Sequence, residues 1–139
     1  MSHNKLIIYT DGGARGNPGP AGLGVVIKDG DKIIGEHSKF IGEATNNQAE
    51  YQALVLGLEK AKQLGAKEVD CFLDSELVVN QLNRKFKIKD EGIGKWFIKI
   101  HNLLFGFKKV KFHHIYREDN KAADRLVNEA IDRGIRENS

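Results

Sequence analysis

Apolar and polar positions along the chain change their period several times, and each change predicts a different kind of element. Lys5-Leu6-Ile7-Ile8-Tyr9-Thr10 is a nearly continuous apolar run stopped by Asp11-Gly12-Gly13, the pattern of a buried strand. The Gly/Pro-rich stretch Arg15-Gly16-Asn17-Pro18-Gly19-Pro20 reads as a turn. Gly22 to Lys28 and Lys32 to Phe40 flank Asp29-Gly30-Asp31 as a hairpin, so the first three strands form an antiparallel meander. At Thr45-Asn46-Asn47, which carry capping side chains, the spacing becomes helical and stays so to Leu64, with Gly65 as the stop. Glu68 to Leu73 predicts a fourth strand ending at Asp74, and Ser75 can cap a helix to about Arg84. A charged turn leads to a helix from about Ile93 to Leu104. Lys109 to Arg117 predicts the last strand, with Val110, Phe112, His114 and Tyr116 on one face, and about Asn120 to Arg133 a final helix. The order βββαβααβα describes an α/β domain whose later strands run parallel, joined by helical crossovers.

Composition narrows this picture without redirecting it. A chain of 139 residues is one domain in size, so residues 1–139 are expected to form a single catalytic or binding unit. With 40% hydrophobic and 29% charged residues, disorder is excluded as a description of the whole. No apolar run is long enough to cross a membrane, and the N-terminal residues lead straight into a strand-like run, with no signal peptide evident. The single Cys71 cannot form an internal disulfide, and its apolar surroundings make it a core residue. These features lead to the expectation of a cytoplasmic monomer with no membrane partner. A net charge of +3 allows a polyanionic ligand but does not require one.

Candidate chemistry comes from where certain carboxylates fall in the element order. Asp11 ends the first strand and Asp74 the fourth; if a crossover makes these strands parallel neighbours, both acids emerge at the carboxyl edge of the sheet, where open α/β sheets bind ligands. Glu50, placed in the first turn of the first helix, shares a face with Ala53, Leu54, Gly57 and Ala61, so it points toward the sheet. Asp124 shares a stripe with Val127 and Ile131. Taken singly, each has an ordinary explanation: a turn former, a helix-start charge, a helix cap, a surface ion pair. Together they can converge, and acids on core-facing stripes are costly without compensation. Divalent metal compensates them most simply, and hard oxygen ligands suit Mg²⁺ or Mn²⁺. Two such ions can activate a water and stabilise a leaving oxygen, and no Cys/His or Ser/His constellation competes.

These residues resemble the type 1 ribonuclease H family over nearly the whole chain. Tyr9-Thr10-Asp11-Gly12-Gly13 with Gly16-Asn17-Pro18-Gly19 is similar to its opening motif, and Thr45-Asn46-Asn47-Gln48-Ala49-Glu50 to its second. Asp74-Ser75 resembles the third, and Asn120-Lys121-Ala122-Ala123-Asp124-Arg125-Leu126 the fourth. The resemblance implies a five-stranded mixed sheet flanked by helices, and hydrolysis of the RNA strand of RNA–DNA hybrids with two Mg²⁺ ions per site, Mn²⁺ being an alternative. It implies Asp11, Glu50, Asp74 and Asp124 as catalytic, metal-binding carboxylates. By the same resemblance Asn17, Asn46 and Gln48 lie along the hybrid groove, Asn46 with Gly12 and Gly13 near 2′-hydroxyls, and Thr45 at a phosphate of the DNA strand.

The sequence departs from the family pattern in two places. The basic, tryptophan-rich insertion that many members use to grip the hybrid would fall at Arg84 to Gly92, which is too short to form it. A member without this handle is therefore expected, holding substrate through Lys85, Lys87, Lys89 and their neighbours, with an affinity that falls with salt. Trp96 beside Phe97 is expected in the core. The mobile His loop of many members is reduced to Glu118-Asp119 after Arg117, so Glu118 is a candidate acid/base helper and Arg117 a candidate phosphate contact. Two other functions stay in view: a catalytically weak module binding hybrids or double-stranded RNA, and a resolvase- or transposase-like nuclease of the same superfold.

Overall fold

The computed structural model describes residues 3–83 and 91–138. Strands β1 (Lys5–Ala14), β2 (Gly19–Asp29) and β3 (Lys32–Ala44) form the antiparallel meander. Helix α1 (Asn46–Gln63) leads to β4 (Glu68–Leu73). Helices α2 (Glu76–Leu82) and α3 (Glu91–Leu104) precede β5 (Lys109–His114), and α4 (Lys121–Glu137) closes the order. The five strands make one mixed sheet, β3-β2-β1-β4-β5, with β4 parallel to both β1 and β5. Among the described residues no helix is long and apolar enough to cross a membrane.

The largest local departure from the sequence pattern is at the end of β1. Asp11-Gly12-Gly13 does not stop the strand: Asp11 pairs with Gly24, Gly12 with Leu23 and Gly13 with Gly22, and pairing runs on to Ala14. The glycines serve helix approach instead. A Cβ on Gly12 would lie 2.1 Å from the Ala49 carbonyl oxygen of α1, and one on Gly24 would lie 2.2 Å from the Ala123 carbonyl oxygen of α4. Because alternate strand residues face opposite sides, these contacts put α1 and α4 on opposite faces of the sheet. On the α1 face, Leu6, Ile8, Val25 and Ile27 pack with Tyr51, Leu54 and Leu58 into the main core, which Cys71 joins. On the other face α4 buries Leu126, Val127, Ala130 and Ile131.

At its C-terminal end the last strand is shorter than its hydrophobic alternation suggests. It ends at His114, Tyr116 is 69% exposed, and Arg117–Asp119 forms a 3-10 turn before α4. Pairing to β4 stops with Leu73, so nothing holds Ile115 to Arg117 in a ladder beyond the Ile115 N–H donated to Leu73. Trp96 packs half-buried against the main core, as its neighbours suggested, with Lys95 and Lys99 over its ring. Residues 84–90, where the family insertion would fall and where Lys85, Lys87 and Lys89 lie, are outside the described residues.

Candidate active site

Parallel register decides where the two strand acids meet. The last β1–β4 pair is Thr10 with Leu73, so Asp11 and Asp74 are each the next residue along. Asp11 continues in the antiparallel ladder to β2, which holds its backbone, and it is 7% exposed. Asp74 stands at the turn into α2, where the N-cap Ser75 accepts the Val78 N–H through its hydroxyl oxygen. Glu50 comes from α1, in its second turn and not its first. Thr45 and Gln48 form a capping box one turn earlier, and their reciprocal bonds set where the helix begins. Because Gly12 lets α1 approach so closely, Glu50 reaches the sheet edge at 6% exposure, and its Oε1 accepts the Gly12 N–H.

Asp11, Glu50 and Asp74 each offer a carboxylate oxygen within 4.8 Å of the others. Asp124, from the first turn of α4, lines the same cleft and faces the Arg117 guanidinium at 3.7 Å. The cleft also takes in Gly12, Gly13, Asn46, Asn47 and Ser75.

Electrostatics mark this cluster as uncompensated. Burial pushes the Asp11 carboxyl up to about 7, with the charges of Asp74 and Asp124 adding to it. Glu50 is raised by burial and by the Asp11 charge, and Asp74 by burial against the opposing pull of Asn120 and Arg117. Among the described residues no hydrogen-bond donor reaches the buried Glu50 Oε2. A buried, unpartnered carboxylate oxygen beside two more acids fits an oxygen-seeking divalent cation better than any other ligand class, so the residues present fit the metal the family resemblance implies.

The remaining predicted contacts fall in two groups. Asn46 Oδ1 accepts the Ala14 N–H at 2.9 Å, and Asn17 Oδ1 accepts the Asn46 N–H at 3.0 Å, which ties the Gly/Pro turn to the start of α1. Thr45 and Gln48 are committed to the capping box. Glu118 is exposed in the 3-10 turn and, like Asn17, Thr45 and Gln48, does not line the cleft.

One residue with an evident task was missed. Asn120, 2% exposed, donates from Nδ2 to Asp74 Oδ2 at 3.2 Å and to the Thr10 carbonyl at 2.9 Å. An Asn before a helix reads as an N-cap, yet its side chain makes no cap bond here. It fixes Asp74 against the end of β1.

Comparison with known proteins agrees with this geometry. A family model described as reverse transcriptase-like matches residues 9–130. A bifunctional protein of Mycobacterium tuberculosis is 42% identical over 92% of this chain, which spans 36% of that protein's length. Ribonuclease HI of Halobacterium salinarum is also 42% identical over 92% of the chain, which spans 65% of its length. The crystal structure of RNase H1 from that archaeon superposes with a TM-score of 0.90 at 41% identity, covering 93% of this chain and 98% of that one. LC11-RNase H1, solved in complex with RNA/DNA hybrid, superposes with a TM-score of 0.89 at 48% identity over 94% and 99% of the two chains. Matched in sequence and fold across almost the whole of two such structures, this chain belongs to the type 1 ribonuclease H family.

Proposed function

We propose that this chain is an endonuclease that hydrolyses the RNA strand of RNA–DNA hybrids with two Mg²⁺ ions, Mn²⁺ being able to substitute. The observation that carries the proposal is the convergence of Asp11, Glu50 and Asp74, with the buried Glu50 Oε2 left without a hydrogen-bond partner among the described residues. Asp124 completes the ligand set from the cleft wall. When bound, the metal pair supplies water activation and charge neutralisation at the scissile phosphate. The relative solved with RNA/DNA hybrid supports the choice of substrate.

The chain's own residues do the rest. Asn17 and Asn46 spend their side-chain oxygens on backbone N–H groups, which leaves each amide NH₂ to donate. Such donors suit 2′-hydroxyls and the acceptor edges of a minor groove. Gly12 and Gly13 bring backbone to the cleft wall without side chains in the way. Within the capping box, the Thr45 hydroxyl hydrogen and the Gln48 NH₂ still have donors to offer a strand. Arg117 is 80% exposed and paired only loosely with Asp124, so it can turn to a phosphate when metal takes that carboxylate. Glu118, exposed beside it, is the proposed acid/base helper. The short segment between α2 and α3 makes this a member without the handle.

The test is incubation of labelled hybrid, double-stranded RNA and double-stranded DNA with Mg²⁺, Mn²⁺ or EDTA. RNA-strand cleavage confined to hybrid and metal is expected. Binding without cleavage in every lane would show a binding module, and DNA cutting a different nuclease. Turnover unchanged in Glu118→Gln would remove Glu118 from the scheme.

A further inference from the structure

Outside the cleft, one surface combines aromatic and basic chemistry. Helix α4 covers β3, β2 and the end of β1, while the outward residues of β4, β5 and the start of β1 on that same face stay partly or fully exposed. Across this face Tyr9, Phe72 and His113 stand in one row, because Tyr9 pairs with Phe72 and Phe72 with His113. Their rings stack face to face, at 5.1 Å between Tyr9 and Phe72 and 4.9 Å between Phe72 and His113. Lys28 closes the Tyr9 end, its Nζ 5.1 Å from the ring centroid. At the other end β5 is the sheet edge, His113 is 40% exposed, and among the described residues no ring covers its outer face.

In the next row Lys111 stands beside Asp70, and one row further Lys5 and Lys109 flank Glu68. Asp70 is spent on His113 at 3.0 Å and Lys5 at 3.4 Å, which holds its carboxyl below the usual range. Lys111, paired with Asp70 in the ladder, and Lys109 beyond it are exposed on the same face as His113. This face is continuous with the catalytic centre: Asp11 follows Tyr9 by two residues on the same side of β1, a step of about 7 Å. Asp74 follows Phe72 by two in sequence.

Resting on the ribonuclease H reading above, we propose that this face receives unpaired nucleotides flanking the hybrid, a base extending the ring stack on His113 with Lys111 at its phosphate. A ring stack with one open end is sequence-tolerant, since every base has a π-face. Lysines beside it supply the attraction for the backbone. Exposed lysines for a phosphate backbone and an open ring for a base match single-stranded nucleic acid on both counts, which makes it the favoured occupant.

The experiment compares binding of blunt hybrid with hybrids carrying a single-stranded tail at either end of the RNA strand, in EDTA so that no cleavage intervenes. At least one tailed hybrid should bind roughly fivefold more tightly than blunt hybrid, the effect of one stacked base. His113→Ala and Lys111→Glu should each remove most of that advantage, and His113→Phe should keep it, which separates stacking from a folding defect. Cleavage of blunt hybrid with Mg²⁺ should be unchanged in all three. Equal affinity for blunt and tailed hybrids, or an advantage surviving His113→Ala and Lys111→Glu, overturns the proposal and leaves the face to a protein partner. Absence of blunt-hybrid cleavage by the unsubstituted protein would instead overturn the ribonuclease reading, so the two failures are distinct.

Discussion

Asp70 and Asp74 lie four residues apart around the end of one strand, and the chain treats them in opposite ways. Asp70 is paired with His113 and Lys5 from the neighbouring strands and is held below the usual carboxylate range. Asp74 is raised by burial, beside Asp11 at about 7 and a Glu50 raised well above its ordinary value, with Asn120, Arg117 and His114 pulling it down. The first cluster brings its own partners, His113 and Lys5, and is complete. The second gathers acids that the protein does not neutralise, and it sits where the cleft opens. An acid that folding has compensated is structural; acids that folding has crowded together without compensation are held ready for a cation from outside.

The largest break in this contrast should come from removing one uncompensated charge. Asp74→Asn is expected to lower hybrid cleavage on the order of a thousandfold, several kcal/mol of transition-state stabilisation. Steady-state rates with Mg²⁺ would show it, and a loss below tenfold would remove Asp74 from the ligand set.

A second effect concerns pH. The folded-state Asp11 carboxyl titrates at about 7, above its ordinary 3.8, so between these values the native state holds a proton that the unfolded chain releases. Stability of metal-free protein should therefore fall as pH rises from about 4 to about 7, by on the order of a few kcal/mol, and change no further above that through this group. Thermal melts in EDTA measure it, with Asp11→Asn as the reference that lacks this slope. Saturating Mg²⁺ should flatten the wild-type profile by binding the ionised form. Identical profiles for the two proteins in EDTA would mean that Asp11 ionises as freely as in the unfolded chain.

Asn120→Ala should be milder. It strands the buried Thr10 carbonyl and loosens Asp74, costing about 1–3 kcal/mol of stability and roughly 10- to 100-fold in activity. A loss of stability with turnover and metal affinity intact would reduce Asn120 to a packing role. Smallest of all should be Asp70→Asn, since the amide keeps an oxygen to accept from His113 and Lys5 and pairs near the surface are worth about 1 kcal/mol, with cleavage unchanged. A large loss of blunt-hybrid cleavage there would erase the distinction between the two clusters.

Periodicity and motif strings determine much of this protein by themselves. The βββαβααβα order, the parallel crossovers and the family follow from hydrophobic spacing and from short strings of residues that are local in sequence. The candidate acids were legible for the same reason: a carboxylate at a strand end, or on a core-facing stripe, is anomalous within its own window. What the sequence could not determine was which distant groups meet. Asp11-Gly12-Gly13 looks like a stop because glycine and aspartate favour turns, but β2 supplies pairing partners and α1 needs the space a missing Cβ leaves. Asn120 looks like a cap until Asp74 and Thr10 arrive from strands far away in the chain. The same holds for Asp70 and Asp74, alike as letters and opposite in chemistry. Their difference lies in desolvation and in partners brought from other strands, and both exist only once the sheet has formed.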